Sequence, residues 1–327
     1  MSKKPFFILA PMDDVTDVVF RRLVAECAPP DIFFTEFANV DGLQSAGRHA
    51  VLKKLKMHES EKTTVAQIWG KTPDNYYKTA KELVEMGFAG IDINMGCPDK
   101  TIVKNGCCSA FILYENRNLA SQVIDEVLRA VDGKVPVSVK TRLGFNQIDY
   151  SWHAMLLAKK LNMLTIHART RKQMSKVPAD WSLLEPIVAL RDKLSPDTLL
   201  VGNGDVQTRA QGELLAKKHG LDGVMIGRGI FTDPFVFAKQ SPWPTYTKQQ
   251  KLELLRHHVQ LFADTWQQGE RNFETLKKFA KVYVSGFDGA SDMRATIMNC
   301  KTSAELLDHL NTVLPCANSP LSLQKVK

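Results

Sequence analysis

Hydrophobic and polar positions along this chain follow two alternating rhythms. Short runs of apolar, often β-branched residues occur at Phe6–Ala10, Ile32–Phe37, Thr63–Trp69, Gly90–Gly96, Val135–Leu143, Met163–Ala168, Thr198–Gly204 and Gly223–Gly227. Runs that are apolar on both faces are the pattern of strands covered on both sides, as in a parallel sheet. Between them lie stretches with helical spacing: Asp17–Cys27, Asp74–Gly87, Asn118–Val131, Trp152–Leu161, Trp181–Leu194 and Arg209–His219. In the second of these, Tyr77, Ala80, Leu83 and Val84 recur three to four apart and Gly87 closes the helix. Eight strands alternating with helices predict an α/β fold of the (β/α)8 TIM-barrel type. An open doubly wound sheet would normally carry a glycine fingerprint after its first strand, where this chain has Ala10-Pro11-Met12.

The rhythm breaks at Ser241-Pro242-Trp243-Pro244. Beyond it the pattern is helical only, over Lys248–Gln267, Asn272–Gly286, Ser291–Asn299 and Ser303–Val313. The expected organisation is a barrel over residues 1–240, a small all-helical domain over 245–315, and a patternless tail over 316–327. The helical part carries Lys248, Lys251, Arg256, His258, Arg271, Lys277, Lys278, Lys281, Arg294 and Lys301, with Trp266, Phe273, Phe279, Tyr283 and Phe287 among them. Basic residues interleaved with aromatics suit RNA. Taken singly, most of these aromatics read as core and most of the basic residues as a solvated face.

Composition narrows the classes. The 327 residues are 44% hydrophobic and 24% charged, which allows a large core and argues against disorder. A net charge of +8 favours an anionic partner, of which nucleic acid is the commonest. There is no 18-residue apolar run, so no membrane span is expected, and the apolar run after Lys3-Lys4 is too short for a secretion signal. The six cysteines, at 27, 97, 107, 108, 300 and 316, show no zinc spacing. Reduced thiols, a cytoplasmic location and no metal are the expectations.

Polar side chains gather where the strands end. Asp92-Ile93-Asn94-Met95-Gly96-Cys97-Pro98 places a thiol at the C-terminal end of the fourth strand, the end at which barrels do chemistry. Such a thiol can serve as nucleophile or proton donor, or can be an inert packing residue. Asn94 shares that strand end, and Gln67, Lys140, Arg142, His167 and Arg169 lie on or at the ends of other strands. Asn203-Gly204-Asp205 and Gly227-Arg228-Gly229, after the last two strands, form the pair of turns that binds phosphate in barrels. Lys140 suits an electron-rich ring edge such as that of a flavin, a Schiff base, or an ion pair.

Several motifs carry a resemblance. Ala10-Pro11-Met12-Asp13-Asp14-Val15-Thr16-Asp17 with Phe20-Arg21, Thr35-Glu36-Phe37, Gln67-Ile68-Trp69-Gly70 and Asp92–Pro98 resemble the tRNA-dihydrouridine synthases. So do Val137–Gly144, His167-Ala168-Arg169-Thr170, Asn203-Gly204-Asp205 and Gly223–Gly229, in the same order, and Lys277-Lys278-Phe279 with Met293-Arg294 in the helical tail. Two loops depart from the family pattern: Lys104–Phe111, with Cys107-Cys108, and Met174-Ser175-Lys176. The resemblance implies an FMN-dependent oxidoreductase that reduces a tRNA uridine to 5,6-dihydrouridine with NADPH. It implies Cys97 as general acid and FMN held by Pro11, Met12, Gln67, Lys140, His167, Asn203, Gly204, Asp205, Gly227 and Arg228. Asn94 would orient the base; Arg142, Arg169, Lys176, Lys277, Lys278, Lys281 and Arg294 would contact tRNA. The implied partner is tRNA, and a monomer is the expectation. Two other readings remain: a flavin barrel acting on a free pyrimidine, and a non-catalytic RNA-binding relative.

Overall fold

A computed structural model of the chain describes residues 5–61 and 63–314; the tail expected over 316–327, with Cys316, lies outside them. The eight strands are β1 (Phe6–Leu9), β2 (Phe33–Asn39), β3 (Thr64–Trp69), β4 (Gly90–Asn94), β5 (Val137–Arg142), β6 (Met163–His167), β7 (Leu199–Asn203) and β8 (Gly223–Ile226). All are parallel, in the order β1-β8-β7-β6-β5-β4-β3-β2. The ring closes where Ile8 bridges Ile32, with Leu9 N–H donating to Ile32 O at 3.1 Å and Asp31 N–H to Phe7 O at 2.9 Å. Every expected strand forms, with ends displaced by one or two residues. The displacements have local causes: β4 stops at Asn94 because the Asn94 side chain captures the N–H groups of Gly96 and Cys97.

Alternation along the strands sorts the barrel interior by height. Ile8, Phe34, Val65, Met163, Val201 and Met225 form an apolar plug. Above it the register pairs Gln67 with Asp92 and Asp92 with Ser138, then Asn94 with Lys140, Arg142 with His167, and His167 with Asn203. A parallel barrel thus puts side chains from β3 to β7 at one level without any sequence proximity.

The helical part differs from expectation in one respect. The single helix expected over Asn272–Gly286 is a 3-10 helix, Phe273–Phe279, followed by one α-turn, Ala280–Tyr283. The aromatics among the basic residues are mostly core, as each reads singly: Trp266, Phe273, Phe279 and Tyr283 are all buried. Phe279 stacks on Phe20 of the helix Val18–Cys27 at 4.6 Å between ring centres and lies 5.8 Å from Phe231. These contacts merge barrel and helices into one apolar cluster. A buried ion network reinforces the seam. Arg271 reaches Glu36 with two hydrogen bonds, at 2.9 and 3.0 Å, and pairs with Asp17 at 3.1 Å. Arg271 therefore belongs to the seam rather than to a basic surface.

Candidate active site at the C-terminal mouth of the barrel

A cavity of about 190 Å³ opens over the ends of β1, β7 and β8, lined by Pro11, Met12, Lys140, His167, Asn203 and the turns at Gly204-Asp205 and Gly227-Arg228-Gly229. The turns approach closely because glycines allow it. Gly204 has φ +132°, and a Cβ on Gly229 would lie 2.4 Å from the Val206 carbonyl oxygen. The Asp205 carboxylate, an acceptor that would repel an anion, is neutralised by pairing with Arg169 and accepts from Ala179 N–H at 2.9 Å and Arg228 at 3.2 Å. Its backbone and the exposed Arg228 remain.

Lys140 projects into this cavity from β5. Burial, and then the Arg142 charge, bring its ammonium down to about 8, so it stays mostly cationic at neutral pH. His167 is held neutral: burial and the cations Arg142, Lys140, Arg169 and Arg228 keep it well below the usual imidazole range. Arg169 Nη1 lies 3.0 Å from His167 Nε2. A guanidinium only donates, which puts the imidazole proton on Nδ1.

Cys97 follows β4 on a turn with its own support. Ser138 Oγ donates to Asp92 at 2.6 Å, Gln67 Nε2 donates to the other Asp92 oxygen at 2.7 Å, and Asn94 Nδ2 donates to Gln67 Oε1 at 2.9 Å. Asn94 Oδ1 then accepts from Gly96 N–H at 3.1 Å and Cys97 N–H at 3.0 Å. The chain of bonds fixes the loop that presents the thiol. Burial raises Asp92 to about 6 despite these bonds. The Cys97 thiol is lowered to about 7, chiefly by a hydrogen bond from Cys108, against the opposing effect of burial, and with help from the Asp99 N–H and the Arg142 charge. An ordinary thiol, with a pKa of about 8.5, stays mostly protonated at neutral pH; the lowered value gives Cys97 a larger thiolate share there.

The remaining expected residues divide. Gln67 and Asn94 are buried in the support chain, and Asn94 keeps one N–H free of it. Arg142 spends its guanidinium on the carbonyls of Gly96, at 2.7 Å, Thr170 and Met174. Arg169 bonds Val177 O at 2.6 Å as well as His167 and Asp205. Both arginines are buried straps for the loops at the mouth, which leaves them poorly placed for RNA phosphate. Lys277 is buried too, donating to Glu274 at 2.6 Å and Met298 O at 2.8 Å, so its ammonium is already satisfied inside the helical part. Arg294 caps Val284 O at 2.7 Å. Lys176 and Lys281 are exposed, and Lys278 is half-exposed beside Asp14. Sequence reasoning missed Asp92, Cys108 and the seam role of Arg271. Asp92 was visible as the one charge inside an apolar strand, and Cys108 as a departure from the family loop. Arg271 gave no distinguishing signal.

Comparison with known proteins adds the following. The family model described as dihydrouridine synthase matches residues 8–318. A "Probable tRNA-dihydrouridine synthase" of Staphylococcus aureus strain COL is 46% identical over 306 residues, covering 92% of this chain and 91% of that protein. A "Probable tRNA-dihydrouridine synthase 2" of Bacillus subtilis strain 168 is 44% identical over 307 residues, covering 93% and 92%. Among solved structures, 2-naphthoyl-CoA reductase superposes with a TM-score of 0.56 at 11% identity over 71% of this chain and 49% of its own. Histamine dehydrogenase from Rhizobium sp. 4-9 gives 0.51 at 12% identity, over 78% and 48%. The last two share the fold, and this chain spans about half their length.

Proposed function

The chain belongs to the dihydrouridine synthase family, and from that premise we propose that it reduces a uridine of tRNA to 5,6-dihydrouridine, with FMN as bound flavin and NADPH as reductant. The reading is carried by one juxtaposition: a cation and a glycine-lined double turn on one side of the barrel mouth, and a positioned thiol on the other.

The residues present fit FMN. The turns at Gly204-Asp205 and Gly227-Arg228 would take the phosphate, with Arg228 adding charge. Lys140, whose ammonium is perturbed only by burial and neighbouring charges, would face the electron-rich edge of the ring, with Pro11, Met12, His167 and Asn203 around it. Gln67 would contribute from its place in the Asp92 chain. Held there, FMN would supply hydride chemistry toward the uracil ring. Cys97 holds the proton for C5, and Asn94 fixes the backbone that carries Cys97 while offering its remaining N–H to the base. The uridine has to leave the RNA stack to reach this depth. Residues 245–315 would add a tRNA-facing surface through Lys278 and Lys281, with Lys176 at the mouth.

The test is direct. Purified protein should be yellow, should bleach with NADPH, and should convert uridine to dihydrouridine in an unmodified tRNA transcript. Turnover of free uridine or uracil in place of tRNA would favour the free-pyrimidine reading. A colourless protein that binds tRNA would favour the non-catalytic one.

A further inference from the structure

β1 runs into Ala10-Pro11-Met12, and Pro11 and Met12 form one wall of the cavity at the mouth. The residues that follow close a tight turn back on Met12. Met12 N–H donates to Thr16 Oγ1 at 2.9 Å, and Met12 O accepts from Val15 N–H at 3.2 Å and Thr16 N–H at 3.0 Å. Asp14, in the middle of the turn, stands at φ +55°, in the left-handed region that residues with a Cβ seldom adopt unless their surroundings hold them there. What holds Asp14 comes from outside the turn. Its N–H donates to Glu36 Oε1 of β2 at 2.6 Å. Its carboxylate lies 3.6 Å from Arg271 Nη2 and 3.4 Å from Lys278 Nζ, both of the helical part. At the other side of the turn, Met12 meets the turn after β8: a Cβ on Gly227 would lie 3.7 Å from the Met12 sulfur.

We propose that Arg271 is a positioning residue for the cofactor cavity: from the helical part it clamps the turn that follows Met12 and thereby sets the Pro11-Met12 wall. A guanidinium is a planar fork, and this one is used on every side. Nη1 and Nη2 donate to the two Glu36 oxygens at 2.9 and 3.0 Å, Nε faces Asp17 at 3.1 Å, and Nη2 reaches toward Asp14. Asp17 also caps the helix Val18–Cys27 by accepting from Phe20 N–H at 2.9 Å. One buried side chain thus ties the middle of the turn, its exit into a helix, and β2 to one another. The bonds between Met12 and Thr16 fix the shape of the turn, whereas its placement over the cavity depends on what it is tied to. Pairing with Glu36 alone would serve the seam; the approaches to Asp14 and Asp17 act on the turn. The clamp does not depend on the proposed activity. Its consequence for the cofactor rests on FMN occupying this cavity.

Two variants of the full chain separate positioning from stability. Arg271→Lys keeps the positive charge but replaces the fork by a single ammonium. Arg271→Met with Glu36→Gln removes both members of the buried pair, which spares much of the stability that a single replacement loses. In both, deuterium exchange of the peptide containing Asp14, Val15 and Thr16, read by mass spectrometry without FMN, should quicken about tenfold, the worth of about one hydrogen bond. Titration of flavin-free protein with FMN should show binding weakened about tenfold. The double variant should show this weakening while unfolding in denaturant close to the unaltered midpoint. FMN affinity that is unchanged, or that recovers along with stability in the double variant, overturns the proposal, because Arg271 would then be structural alone. Unchanged exchange in the turn overturns it as well. If the unaltered chain takes up no FMN, the FMN reading fails, and exchange in the turn alone decides whether Arg271 is the clamp. If Arg271→Lys does not fold, the double variant decides.

Discussion

At the scale of the residue, Cys97 as the proposed proton donor should set the pH behaviour. Its pKa lies near 7 because Cys108 and the Asp99 N–H stabilise the thiolate more than burial opposes it. Only the protonated form can serve as an acid, so the active fraction is high below pH 7 and falls about tenfold per unit well above it. Uridine reduction measured from pH 6 to 9 should show that descending limb. Cys108→Ala removes the leading stabiliser and should move the limb to higher pH; an unmoved limb would assign it to another group. Cys97→Ala should keep the yellow colour and its bleaching by NADPH while slowing uridine reduction by about 100- to 10,000-fold, the usual worth of a positioned proton donor. Near-normal turnover in this variant would remove the thiol from the chemistry.

At the scale of the element, close approaches between turns matter more than any single contact. The segment after β8 packs so tightly on the turn after β7 that a methyl group at Gly229 would lie 2.4 Å from Val206 O. Gly229→Ala should push the two turns apart and weaken FMN binding by about 10- to 100-fold, equivalent to about 1.5–3 kcal/mol of lost hydrogen bonds to a charged group. Titration of apoprotein with FMN measures this, and unchanged affinity would place the phosphate elsewhere. The seam obeys a different rule. Arg271 and Glu36 are both buried, so removing Arg271 strips the Glu36 carboxylate of its guanidinium partner. Arg271→Ala should cost about 3–5 kcal/mol in denaturant unfolding, and the double replacement Arg271→Met with Glu36→Gln should recover much of it. Equal losses in the single and double variants would deny the pairing its role.

At the scale of the whole molecule, the net charge of +8 is not spread evenly over accessible sites. Arg142, Arg169, Arg271 and Lys277 are consumed internally, leaving Lys176, Lys278 and Lys281 among the expected contacts. Charge reversal at Lys278 and Lys281 together should weaken tRNA binding and lower its dependence on salt by about one unit of slope per lost phosphate contact. Lys277→Glu should instead lower thermal stability and leave the slope of the surviving fold unchanged. Equal binding by the double variant would move the RNA surface off this face. The common core also bears on dissection. A chain ending near Pro244 would expose Phe20 and strand the Glu36 carboxylate, so point substitutions are the sounder route to the helical part.

The amino-acid sequence by itself determined the eight strands, their order as a barrel and the residues at the mouth, because each depends on a pattern inside one short segment. A strand covered on both faces must be apolar, and a polar residue at its end is conspicuous. Lys140, His167, Asn203 and the two glycine turns were legible for that reason, and they converge on one cavity. Only the tertiary structure decided which partners those side chains have. Arg271 and Glu36 lie 235 positions apart, and Asp92 meets Ser138 46 positions on, so neither pairing leaves a local trace. Lys277 and Lys278 are neighbours of the same type, yet one is buried against Glu274 and the other half-exposed, because adjacent positions on a helix point in different directions. Composition counts a charge wherever it stands, whereas burial and pairing decide whether that charge is available, and these are properties of the folded chain.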